Sequence, residues 1–239
     1  MKYKLKSPID AGQKEQVSAL VRQIIPSHNV WCEPYFHSGE VFFKKKPSKK
    51  EIINDADGNV TNFYLMIRNR WEQLFFLMES TLQCDFFSRL AQRITDDEKA
   101  DNLHKAWAFW LNNQKAFVTP DRWSVNDILP ELFQPVALQK AVLQHLSERL
   151  QNVYIANRCS DEMIRQADGP DTLFFLAPRT KKQWKELEPL LPGIQGKFIL
   201  YCEFQNLHKY VEKGLLYTDS EMMEAGLYTN FKRQYGLFD

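Results

Sequence analysis

Apolar residues at Val17, Leu20, Val21, Ile24 and Ile25 recur at the spacing of a helix with one buried face, and Pro26 ends that helix. "NVWCEP" (29–34) then predicts a short strand closing in Glu-Pro, and "EIINDAD" (51–57) a second strand closing in acidic residues. From about 60 to 150 the period is helical. "NFYLMIRNRWEQLFFLM" is long and amphipathic, and "DDEKADNLHKAWAFWL" opens with acids that suit a helix N-terminus. Leu138, Ala141, Val142, Leu146 and Leu150 mark a third helix, after an irregular, proline-punctuated stretch over 112–137. Beyond 150 strands and helices alternate: "NVYIAN" a strand, "SDEMIRQA" a helix with Ser160 as its expected N-cap, "TLFFLAP" a strand, "KKQWKELEPLL" a helix, "GKFILYCEF" a strand. Strands that are apolar throughout, rather than alternating, suit a mostly parallel sheet covered by helices on both faces. The pattern therefore predicts an α/β protein, with residues 1–65 and 150–239 forming one discontinuous α/β domain and a mainly helical insert over 66–149.

Composition narrows this picture only a little. A hydrophobic content of 44% with 13% aromatics supports a sizeable core. A formal charge of +1 gives no overall bias toward nucleic acid or membrane, so such a partner would need a local patch. The run 44–50 carries five lysines in seven residues and reads as a solvated loop, with phosphate binding as the alternative. No run of about 18 apolar residues is present, and the start "MKYKLKSPIDAG" lacks the apolar region of a secretory signal. Cys32, Cys84, Cys159 and Cys202 are scattered without a CxxC pair, which points to reduced thiols in a cytoplasmic protein and away from a metal site.

The order of motifs is more specific. "CEPYFHSGEVFFKK" (32–45) followed by "EIINDADGNVTNFYLMIR" (51–68) resembles the Dam-type DNA N6-adenine methyltransferases, whose pattern is E-P-F-x-G-x-G-x-V-F-F and then N-D-x-N-x-x-(L/V)-x-N-F-Y. "KAWAFWLNNQKAF", "ERLQNVYIANRCSDEMI", "PDTLFFLAP" and "GKFILY" continue the resemblance in the family's order over nearly the whole chain. The resemblance implies a Rossmann-like methyltransferase sheet, S-adenosylmethionine as cofactor, and an insert in the target-recognition position. In such folds glycines at the first strand–helix turn admit the cofactor, and a carboxylate ending the next strand accepts the ribose hydroxyls. By that resemblance the vestigial cofactor positions are Lys14 (in Gly12-Gln13-Lys14, where the family has Gly-Gly-Lys), Glu33, Phe36, Gly39 and Asp55. Three departures crowd the same place: His37 and Ser38 stand where the family usually has glycines, and Glu40 replaces a small residue.

The catalytic motif departs further. In the family the strand matching "TLFFL" ends in Asp-Pro-Pro-Tyr. Its Asp side chain and a proline carbonyl accept hydrogen bonds from the adenine amino group, and its Tyr stacks on the flipped base. Here Ala177, Pro178, Arg179 and Thr180 occupy those positions. Alanine offers no acceptor and threonine no stacking face. Losing one preorganised contact of this kind typically costs about 10²–10³ in rate. The family's flexible loop after the motif is also missing, since "TKKQWKEL" enters a helix at once, and Cys159 falls where the family commonly has an aspartate.

Substitutions at the positions of chemistry, with the hydrophobic pattern intact, imply a degenerate member that keeps the scaffold and serves as a binding or partner subunit, or is a relic. Two other readings stay open. One is an active S-adenosylmethionine-dependent adenine methyltransferase with an atypical site. The other is a nucleic-acid-binding accessory protein using Arg179, Lys181, Lys182 and the lysines of 44–50. In the insert, Lys115, Phe117, Arg122 and Trp123 interleave base and ring as DNA contacts do, whereas Trp107, Phe109, Trp110 and Phe117 read as core. The partners expected are DNA or protein, with no membrane and no metal.

Overall fold

The computed structural model describes residues 11–81, 85–114, 136–202 and 207–232. Six strands form one sheet in the order β3-β2-β1-β4-β5-β6, with β1 Val30–Glu33, β2 Lys50–Asn54, β3 Val153–Ala156, β4 Thr172–Leu176, β5 Lys197–Tyr201 and β6 Leu227–Thr229. β1 runs parallel to β2 and to β4, β4 runs parallel to β5, and β6 closes the edge antiparallel to β5. Every residue of β4 is buried, as is all of β2 and β5 beyond the first residue, which explains why these strands read as unbroken apolar runs. The sheet is thus the mostly parallel, Rossmann-like one the sequence predicts.

The chain divides into two compact units, one of residues 8–36, 40–54 and 158–239, the other of 1–7, 37–39 and 55–157. In the first, Trp31 stacks on Phe175 of the neighbouring strand with ring centroids 6.4 Å apart. Gly196 sits just ahead of β5 because nothing larger fits: a Cβ there would lie 2.7 Å from the Thr172 carbonyl oxygen and 2.9 Å from that of Gly169. Helices α1 (Ala11–Ile24), α2 (Glu40–Lys44), α7 (Ser160–Ala167), α8 (Lys181–Leu187), α9 (His208–Glu212) and α10 (Ser220–Glu224) belong to this unit. α1 stops two residues short of Pro26, as the sequence predicts.

The second unit is built on α3 (Gly58–Glu79), α4 (Asp85–Asp96), α5 (Asn102–Gln114) and α6 (Val136–Leu150). Asp57 caps α3 by accepting from the Asn59 amide, and the helix is broken at Arg70, whose φ of −144° is not helical. The acids ahead of α5 act as expected: the Asp101 carboxylate accepts from the Leu103 amide at 2.9 Å. Trp107 and Trp110 are buried and Phe109 packs on Phe63, so these three rings are core. Lys115, Phe117, Arg122 and Trp123 lie outside the described residues.

Two expectations need correction. Ser160 is not the cap of α7. Cys159 holds that position without a side-chain bond, and the Ser160 hydroxyl, one residue inside the helix, donates instead to the Pro34 carbonyl at 3.1 Å. Nor is the lysine run wholly solvated, because Lys45 is buried in an ion pair with Glu51 while Lys46, Lys49 and Lys50 remain exposed.

Candidate active site at the carboxyl edge of the sheet

The strand order reverses between β1 and β4: the chain passes from β1 to β2 on one side, and β4 lies on the other. In open α/β sheets ligands bind at the carboxyl ends of the strands flanking this point. Here those ends are Glu33-Pro34-Tyr35-Phe36 after β1 and Ala177-Pro178-Arg179-Thr180 after β4.

After β1 the backbone is held from the side. Asn54, fully buried at the end of β2, donates from Nδ2 to the carbonyls of Pro34 and Arg158 at 3.1 Å each, and its Oδ1 accepts from the Arg158 amide at 3.0 Å. The Phe36 amide donates to the Asn54 carbonyl at 2.9 Å. One asparagine thereby ties the segment after β1 to the segment before α7. The sequence reading passed it over, although a lone amide ending an apolar strand is the signal for such a clasp. Glu33 is buried and accepts from the Trp31 indole Nε1 at 2.9 Å. Phe36 packs edge-on against Phe42 and Phe43 of α2, at 5.5 and 5.9 Å between ring centres. Burial, with Glu186 and Asp161 nearby, pushes the Tyr35 hydroxyl pKa well up, so it stays protonated. Glu40, the acid expected to intrude, pairs with Lys44 one turn along α2.

After β4 the turn closes on itself. The Thr180 hydroxyl accepts from the Gln183 amide at 3.1 Å, and Gln183 Oε1 accepts from the amides of Arg179 and Thr180 at 2.7 and 3.2 Å. This is a reciprocal capping box on α8. Thr180, which the resemblance sets at the stacking position, is the helix cap, and the helix begins one residue later. Pro178 is buried, Ala177 and Arg179 are half-buried, and Thr180 is exposed. Cys159, at the position matching a family aspartate, is exposed.

His37–Gly39 and Asp55 belong to the helical unit. His37 has a φ of 50° and Gly39 of 64°, both in the left-handed region that favours glycine. His37, which the resemblance sets at a glycine position, thus has a backbone conformation suited to glycine. Asp55 is buried, and both its oxygens already accept: Oδ2 from the His37 amide at 2.9 Å, Oδ1 from the Asp57 amide at 2.9 Å. His37 Nδ1 stands 3.3 Å from the same Oδ2. Lys14 lies in the first turn of α1, and its side chain is outside the described residues. Among the described residues no group of three or more His, Cys, Asp or Glu is placed to hold a metal ion, and no helix is long and apolar enough to cross a membrane.

A mostly parallel sheet with its switch point between β1 and β4 is consistent with a Rossmann-like methyltransferase fold. The profile of the D12 class N6 adenine-specific DNA methyltransferases matches residues 11–219, and the chain belongs to that family. Comparison with curated proteins gives no match.

Proposed function

We propose that this chain is a D12-class scaffold that has lost methyl transfer and serves as a binding or partner subunit. The turn after β4 carries the proposal. Its four residues supply no side-chain acceptor for an amino group at Ala177, and the hydroxyl of Thr180 is engaged as a helix cap. Restoring an aromatic ring at 180 would undo that cap.

The family as a whole uses S-adenosylmethionine. Lys14, Glu33, Phe36, Gly39 and Asp55 are the vestige of its site. The residues present do not fit the cofactor in the family's manner: His37 stands where the resemblance sets a glycine, and each Asp55 oxygen already accepts one backbone amide, from His37 and from Asp57, before any ribose hydroxyl. Calorimetric titration of the full chain with S-adenosylmethionine is expected to give no saturable micromolar binding; such binding would overturn the reading.

The family's substrate is DNA, and duplex binding without turnover is the second reading. It is favoured by Lys181 and Lys182, both exposed in the first turn of α8 directly after the altered motif. Fluorescence anisotropy with mixed-sequence duplex tests it, and binding through these lysines should weaken steeply with salt. The scatter of Cys32, Cys84, Cys159 and Cys202 without a CxxC pair supports a cytoplasmic setting.

A further inference from the structure

At the opposite edge of the sheet, ahead of β1 and β2, four side chains meet to which the family resemblance assigns no role. The His28 ring lies between the Pro26 carbonyl, 2.8 Å from Nδ1, and the Ser48 hydroxyl, 2.7 Å from Nε2. A carbonyl can only accept, so Nδ1 carries the proton and donates to Pro26. In the neutral ring Nε2 is then an acceptor, and the Ser48 hydroxyl must donate to it. Lys45 Nζ stands 3.1 Å from the same Ser48 oxygen, and an ammonium can only donate. The Ser48 oxygen therefore accepts from a fixed cation while its proton points at a fixed imidazole.

Lys45 is itself held. Its ammonium donates to the Lys46 carbonyl at 3.0 Å, pairs with Glu51, and sits 4.6 Å from the centre of the Trp31 ring. Glu51 also accepts from the Ser48 amide at 3.1 Å, which fixes the backbone that carries the hydroxyl. His28 and Ser48 are half-buried.

We propose that Ser48 is a nucleophile of the serine-hydrolase kind, with His28 as its base, the Pro26 carbonyl orienting that base, and Lys45 stabilising negative charge on the attacking oxygen. Its substrate class is the small carboxylic ester. The Ser48 oxygen bonds to the acyl carbon, the bond from that carbon to the alcohol oxygen breaks, and the hydroxyl proton passes through His28 Nε2 to the departing alcohol. Water then repeats the step in reverse roles and releases the acid. No oxidant or added cofactor is needed. The base is available at neutral pH: burial first, then the charges of Lys45 and Lys197, hold the His28 pKa below its ordinary value, against the Pro26 hydrogen bond and Glu51. A structural staple would show the same bonds, but not the reactivity.

The test uses the full chain and a fluorophosphonate probe, which loses fluoride to an activated serine, followed by peptide mass spectrometry. We expect the adduct on Ser48, its formation rate falling about 100-fold in His28→Gln. In the unmodified chain the rate should level off as the pH rises past 7. No adduct at Ser48 while a serine-hydrolase control is labelled, or equal labelling in a folded His28→Gln, would overturn the proposal. Should that variant fail to fold, the pH profile decides: a rate still climbing between pH 7 and 9 contradicts a neutral His28 base.

Discussion

The two edges of one sheet have been treated in opposite ways. At the carboxyl edge, where this fold places chemistry, the turn after β4 is closed by a helix-capping box between Thr180 and Gln183. At the amino edge, a loop that reads as plain lysine-rich surface encloses a buried ion pair, a cation over an indole and a hydroxyl shared between histidine and lysine. The carboxyl edge thus carries a helix cap at the strand end where ligands bind in such folds, and the amino edge carries the hydroxyl–imidazole contact on which the proposed ester chemistry rests.

The contrast breaks first at Lys45. Lys45→Met strands the buried carboxylate of Glu51, and we expect a loss of about 3–5 kcal/mol in urea unfolding; a loss under 1 would mean that the pair is solvated. At the other edge Thr180→Ala removes only a cap, with an expected cost of about 1 kcal/mol by the same measurement. An unchanged midpoint there would show that the capping box contributes nothing. Ala177→Asp restores a carboxylate to the emptied position, yet labelled-methyl counting should find no transfer, because Thr180 stays bound to Gln183. Turnover in that variant would reduce the loss to one residue.

The smallest effect is in pH. Since the folded His28 pKa is depressed, the unfolded chain binds the proton more readily. The neutral ring's contribution is complete above the ordinary value of 6.5 and is lost as pH falls below it toward the lowered folded value. Midpoints measured from pH 8 to 5 should fall more steeply for the native chain than for His28→Gln.

Much of this architecture was legible in the sequence. Apolar runs such as "TLFFL" and "GKFILY" announce buried strands, because a covered parallel sheet leaves no polar face to alternate with. The turn after β4 was expected at Ala177–Thr180 and lies there, since an apolar strand ends where its polar neighbours begin. What stayed hidden depends on partners distant in sequence. Nothing near Lys45 distinguishes it from Lys46 until the fold sets Glu51 and Trp31 around it. Asn54 becomes a clasp only when Arg158 arrives 104 residues later. Ser160 looks like a cap from composition alone, but the chain bends one residue earlier and its hydroxyl turns to Pro34. Periodicity reports burial; it does not report which polar atoms meet.

The central claim, that the carboxyl edge no longer performs methyl transfer, is tested most directly by incubating the full chain with S-adenosyl-[methyl-³H]methionine and mixed-sequence duplex DNA and counting label in the DNA. The account predicts counts equal to those of a protein-free control, while clear incorporation that grows with time and with protein concentration would contradict it.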